Sequence, residues 1–231
     1  MVCILPNWPK TTCDRTSDDF HLSCGVPQGS CMGPILFILY ISQLYHVIAN
    51  HLPSAHRHAD DTQLYLSFRP NDRSSQDHAT ASVEACISVV RSCLIYNRLL
   101  INVSKTEFLD VGSRHQLSKI AIDSITVGDS TIQTVNSVRN LGTWFDSNMS
   151  MSIHIGKICS KAFYGLYKIR QIRKFPNPES TKTFVHAFVT SHLDYCNSLL
   201  FDVPKYQIDR LQKVLNAAAR LIFNIPKFDH I

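Results

Sequence analysis

The stretch SAHRHADDTQLYLSF, residues 54–68, constrains the fold more than any other. Leu64, Leu66 and Phe68 alternate with Gln63, Tyr65 and Ser67, the two-residue period of a strand with one face on a core. SAHRHA supplies a partner strand, so Asp60-Asp61 occupies or borders a tight hairpin turn. Adjacent carboxylates repel. A solvated acidic turn tolerates them. So does a site for a hard divalent cation, which wants oxygen ligands and removes the repulsion. Two letters alone leave both readings open.

The 231 residues are enough for one large domain or two small ones, and 45 % apolar residues is a globular composition. A net charge of +5 is compatible with nucleic acid without requiring it. Eight cysteines form no CxxC pair, which gives no zinc or redox motif. The first ten residues, MVCILPNWPK, lack the basic start of a secretory signal. The expectation is therefore reduced cysteines in an intracellular protein, nuclear or cytoplasmic, not secreted. The longest apolar run, Pro34 to Ala49, carries Gln43 and His46 and is shorter than the roughly 20 residues that span a bilayer. It reads as a buried helix with Pro34 in its first turn and no membrane contact.

Along the chain, GVPQGSCMGP holds three glycines and two prolines, a loop suited to close backbone approach. RPNDRSSQD reads as a loop. From residue 79 to 100, Val83, Cys86, Ile87, Val90, Leu94 and Asn97 fall at helical steps. NVSKTEFLDVG reads as a strand ending at Gly112, and IAIDSITVGDSTIQTV as a hairpin turning at Gly128-Asp129. After about residue 148 the pattern is helical alone: 151–173, 178–200 opening at Pro178, and 205–223 ended by Pro226. The fold class is α+β followed by an all-α part. The boundaries are an irregular 1–24, an α+β part 25–147 and a helical part 148–231.

His56-x-His58-x-Asp60-Asp61 also lies near the HxHxDH ligand run of metallo-β-lactamase-like hydrolases, where imidazoles favour zinc. Asp61 replaces the last histidine of that run. His78, His115 and His154 sit in no matching context.

Four blocks in order, GVPQGSCMGPILFILYISQL, HADDTQLYLSF, NRLLINVSKTEFLDVGS and SVRNLGTWFDSNMSM, resemble the reverse transcriptase of jockey-type LINE (non-LTR) retrotransposons. The tail DYCNSLLFDVPKYQIDRLQKVLNAAARLI resembles it too, so the likeness covers about residues 20–231. It implies a partial polymerase palm, an antiparallel sheet with helices, followed by a helical thumb. It also implies RNA-directed DNA synthesis with two Mg²⁺ ions, an RNA template, a DNA primer and deoxynucleotide triphosphates. The resemblance assigns metal binding to Asp60 and Asp61, with Lys105 as charge or proton donor at the pyrophosphate. Pro27, Gln28, Gly29 and Ser30 would line the incoming nucleotide and template base, with His58 and Ala59 beside them. Asn140, Leu141 and Gly142 fall where the family has its primer grip. Lys157, Lys161, Lys168, Arg170, Arg173 and Lys174, with Phe163, Tyr164 and Tyr167 interleaved, would track a duplex backbone without reading sequence. A solvated basic face is the alternative for them.

Two positions depart from the family pattern. His58 replaces the aromatic before Ala-Asp-Asp. The family's further aspartate, on a strand well upstream of GVPQGS, has no counterpart among the 24 residues before Gly25, where Asp14, Asp18 and Asp19 lie in another pattern. The fingers and first palm strand are then absent too, which would leave an unpaired sheet edge. The expectation is a chain that is inactive as a polymerase by itself, either a fragment of the enzyme or a nucleic-acid-binding remnant.

Overall fold

The computed structural model describes residues 2–4, 31–51, 54–58, 61–172 and 177–226. The chain divides into two compact units, Met1–Asn136 and Ser137–Ile231. This division falls upstream of the compositional change near residue 148, because Phe145 packs against the helical core of the second unit.

The first unit opens with β1 (Val2–Ile4), α1 (Gly33–Tyr40) and α2 (Gln43–Ala49). The anticipated single helix breaks at Ile41-Ser42, where the Ser42 backbone N–H and hydroxyl both turn back onto the Leu39 carbonyl. Only Phe37 is buried in α1. Ile35, Leu36, Ile38, Leu39 and Tyr40 stay exposed among the described residues, contrary to a helix buried all round.

β2 (Ser54–His58) and β3 (Asp61–Tyr65) form the hairpin read from the sequence, in full antiparallel register from Ser54–Tyr65 to His58–Asp61. A long helix α3 (Arg73–Tyr96) follows. It starts earlier than its apolar period suggests, because the Asp72 side chain accepts the Ser74 N–H as an N-cap. Length and composition would let α3 cross a membrane. Here Val83, Cys86, Ile87, Val90 and Leu94 face the core instead, and burial pushes the Cys86 thiol up to about 11. The expected strand at NVSKTEFLDVG shortens to a 3₁₀ turn, Val103–Lys105, and β4 (Glu107–Phe108). After α4 (Arg114–Leu117), β5 (Ser124–Val127) and β6 (Ser130–Gln133) pair around Gly128-Asp129 as expected. Gln76 ties the segment before β5 to α3. Its amide donates to the Pro70 and Lys119 carbonyls and its oxygen accepts the Ala121 N–H.

The main sheet runs β2-β3-β1-β4 and is antiparallel throughout. Val2–Ile4 fills the slot between β3 and β4, and among the described residues β2 and β4 are the edge strands of this open sheet. Leu64 and Phe108 pack on Leu44, Ile48 and the α3 residues, with Ile125, Val127 and Ile132 completing the core. Fully burying each such side chain contributes roughly 1.5–3 kcal/mol.

In the second unit β7 (Ser137–Asn140) and β8 (Thr143–Asp146) form a hairpin. The buried Asp146 carboxylate accepts the Asn148 and Ser150 N–H groups and the Ser150 hydroxyl, turning the chain into α5 (Ser152–Ile172). α6 (Pro178–Val185) runs into a π-turn, His186–Thr190, then α7 (Ser191–Asp194), and α8 (Lys205–Phe223) ends the unit. The single helix anticipated over 178–200 ends at Asp194, because Tyr195 is extended and Cys196 is left-handed. Ile155, Ala162, Leu166, Val189, Val214 and Leu221 form the core.

Candidate functional site

Side chains alternate along a strand, so residues opposite the core face of the main sheet share its other side. His56 and His58 of β2, Asp61, Gln63 and Tyr65 of β3, and Glu107 of β4 occupy that side by register. His58 lies directly across from Asp61. Tyr65 donates its hydroxyl to the Gln63 side chain, and the His56 and Tyr65 rings meet edge to face at 5.3 Å. β3 and β4 run the same way on either side of β1, with Gln63 and Glu107 both level with Cys3. Asp61 and the exposed Lys105 therefore leave the sheet at the same end, with strand axes on the order of 10 Å apart. The Lys105 ammonium at this sheet end can pair directly with the anionic oxygens of a triphosphate, whereas the Asp61 carboxylate can approach them only through a bridging cation.

Several residues singled out from the sequence lie outside the described residues: Pro27, Gln28, Gly29, Ser30, Ala59, Asp60, Arg173 and Lys174. Asp14, Asp18 and Asp19 do as well.

One carboxylate was not anticipated. Asp110 follows β4, is buried, and accepts a hydrogen bond from Thr134. Burial raises its pKa, and the Thr134 bond only partly offsets this. Its only signal in the sequence was an acid inside an apolar run, FLDV.

In the second unit, Asn140, Leu141 and Gly142 sit together at the tip of the β7–β8 hairpin. Asn140 pairs with Thr143, so Leu141 and Gly142 make the two-residue turn, at φ 45° and 90°. Such turns need positive φ at both centres, which glycine adopts freely and leucine does not. Leu141 holds this strained conformation with its side chain 43 % exposed, so packing does not compensate it. Tyr195 donates its hydroxyl to the Leu141 carbonyl at 2.5 Å.

Along α5, Lys157, Lys161, Tyr164 and Lys168 recur at steps of four, three and four and form one exposed stripe. Lys168 lies over the Tyr164 ring at 5.4 Å and Lys157 over the Trp144 ring at 5.3 Å. Arg170, Phe163 and Tyr167 are exposed on the adjoining side. α5 contains no acid. Burial, reinforced by the Lys161 charge, holds His192 below the usual histidine range. The surface is a positive strip with aromatic rings, suited to a polyanion.

A family model described as reverse transcriptase (RNA-dependent DNA polymerase) matches residues 4–145, more than half of the 231. The chain belongs to the reverse transcriptase family. No curated protein and no solved structure matches it. The matched span of this reverse transcriptase includes the β2–β3 hairpin, Lys105 and the Leu141-Gly142 turn, and stops before α5.

Reverse transcriptases work with divalent metal ions and bind template, primer and deoxynucleotides. Among the described residues no group of three or more His, Cys, Asp or Glu side chains is placed to hold a metal. Asp61 and Glu107 share a sheet side but stand on strands separated by β1, too far apart to make a cage. The described residues do not by themselves fit the family's metal pair. Among the described residues the zinc-hydrolase alternative gains no ligand cluster either. His78 lies on α3, His115 on α4, and His154 is buried on α5 in the other unit.

Proposed function

We propose that this chain derives from a jockey-type LINE (non-LTR) retrotransposon reverse transcriptase, and that its 231 residues alone bind primer–template without extending it. The lineage chemistry is attack of a primer 3′-hydroxyl on a deoxynucleotide α-phosphate, with Mg²⁺ ions held by converging carboxylates. The family match supports the lineage, and the four ordered sequence blocks support the subclass.

One observation carries the proposed loss of catalysis. The strand between β3 and β4, where a carboxylate would face the Asp60-Asp61 turn, is Val2-Cys3-Ile4. Asp60, Asp61 and Lys105 are then inherited catalytic positions. Asn140–Gly142 is a primer grip, and the α5 stripe follows a duplex backbone. Such a protein works in the nucleus or cytoplasm.

Primer extension on an RNA template with Mg²⁺ or Mn²⁺ tests the proposal, with Asp60→Ala as control. The expected result is no product from either protein. Product above the Asp60→Ala control overturns the loss of catalysis. Failure of the chain to bind the recessed primer–template at low salt overturns the binding role.

A further inference from the structure

We propose that Tyr195 positions the primer terminus by holding the Leu141-Gly142 turn. The inference rests on the primer-grip reading of that turn. The Tyr195 hydroxyl donates to the Leu141 carbonyl at 2.5 Å. The ring also backs Gly142 closely, since a Cβ added there would stand 3.2 Å from Tyr195 Cε1. One side chain thus touches both residues of the turn. The turn has a reason to need it. Leu141 is left-handed at φ 45° and exposed, so neither its own conformational preference nor packing of its side chain holds it there.

The geometry that presents Tyr195 is built in. Leu193 anchors α7 in the core, α7 stops at Asp194, and Cys196 turns left-handed at φ 55°. The ring therefore leaves the helix line and reaches the hairpin tip. The body of the hairpin has its own attachment, the Trp144 N–H donated to His154 Nδ1 at 3.3 Å. Removing the Tyr195 hydroxyl should thus loosen the tip and leave the hairpin in place. A tip that presents an exposed leucine in a fixed direction can meet a base pair at a duplex end. A loose tip cannot hold that direction.

The test uses the full chain and an RNA–DNA primer–template with a recessed 3′ end. One substrate carries 2-aminopurine as the terminal primer nucleotide, and a second carries it well inside the duplex. The expected result for Tyr195→Phe is a terminal response at least threefold smaller than wild type. Its overall Kd and its internal response should stay within twofold, because the α5 lysines are untouched. Tyr206→Phe, at an exposed tyrosine whose hydroxyl accepts from the Gln207 amide, serves as control and should match wild type. Leu141→Ala, which leaves the Tyr195 bond to the backbone, should lose the terminal response as well. It also covers the case in which Tyr195→Phe folds poorly. A wild-type terminal response retained by Tyr195→Phe overturns the positioning role and leaves the primer grip standing. A wild type with no terminal response overturns the primer-grip reading and this inference together.

Discussion

The backbone N–H of Trp144 points at Nδ1 of His154 across 3.3 Å, so this buried imidazole is an acceptor on Nδ1 and keeps its proton on Nε2. Protonation would place two donors face to face.

Burial holds the His154 pKa below its ordinary 6.5. The unfolded chain therefore binds the extra proton first. Stability is fully present above pH 6.5 and is lost as pH falls through the folded-state pKa. Thermal melts between pH 7.5 and 5 should show this fall. His154→Gln keeps an acceptor and cannot titrate. It should start about 1 kcal/mol less stable at pH 7.5 and show a flatter acid limb. An unchanged acid limb in the variant would assign the effect to other groups.

Asp110 has the opposite sign. Burial raises its pKa above 3.8, so the folded state prefers the protonated carboxyl. Its contribution is fully present below that value and is lost as pH rises through the folded pKa. Asp110→Asn keeps an acceptor for Thr134 and removes the buried charge. Its Tm should exceed wild type at pH 7, and the gap should close toward pH 4. Equal Tm values at pH 7 would show that water already relieves the charge.

The α5 stripe predicts salt dependence. Replacing Lys157, Lys161 and Lys168 by glutamine should lower duplex affinity without changing sequence preference. The slope of log K against log salt should lose about 0.9 for each phosphate contact removed on a B-form duplex. Filter binding from 50 to 200 mM salt measures it. A slope equal to wild type would make the stripe an ordinary solvated face.

Gly165 sets two effects against each other. Alanine is intrinsically better in a helix by roughly 1 kcal/mol. A Cβ there would stand 3.1 Å from the Phe188 carbonyl oxygen, which belongs to the π-turn and is not a flexible side-chain end. We expect the clash to win, with Gly165→Ala less stable by about 1 kcal/mol in urea melts. A stabilised variant would mean that the π-turn yields easily.

The elements legible in the sequence were those with local signals. Alternation around Leu64 marked β3, and Gly128-Asp129 marked the β5–β6 turn. The apolar steps from Val83 to Leu94 marked the buried face of α3. The elements that escaped depend on distant partners. Val2 and Ile4 are β-branched, but a run this short before Pro6 does not mark a sheet strand by itself, because its pairing is with Leu64 and Phe108. Nothing in SHLDYCN marks a break, since neither proline nor glycine causes it and Cys196 takes the strained conformation itself. The same holds for the sites. ADD and SKTE are short motifs that stand out, so Asp61 and Lys105 could be named. Tyr195, His154 and Asp110 owe their significance to Leu141, Trp144 and Thr134, each brought near by folding.

The place of β1 also sets the order in which the first unit can be completed. Val2–Ile4 is synthesised well before its neighbours in the sheet, Thr62–Leu64 and Glu107–Phe108. During synthesis the hairpin β2–β3 can close early, but β4 joins it in the main sheet only through β1 docked between β3 and β4. The sheet is thus sealed only after Phe108 emerges, and closing so long a loop makes its assembly slow relative to the local helices and hairpins.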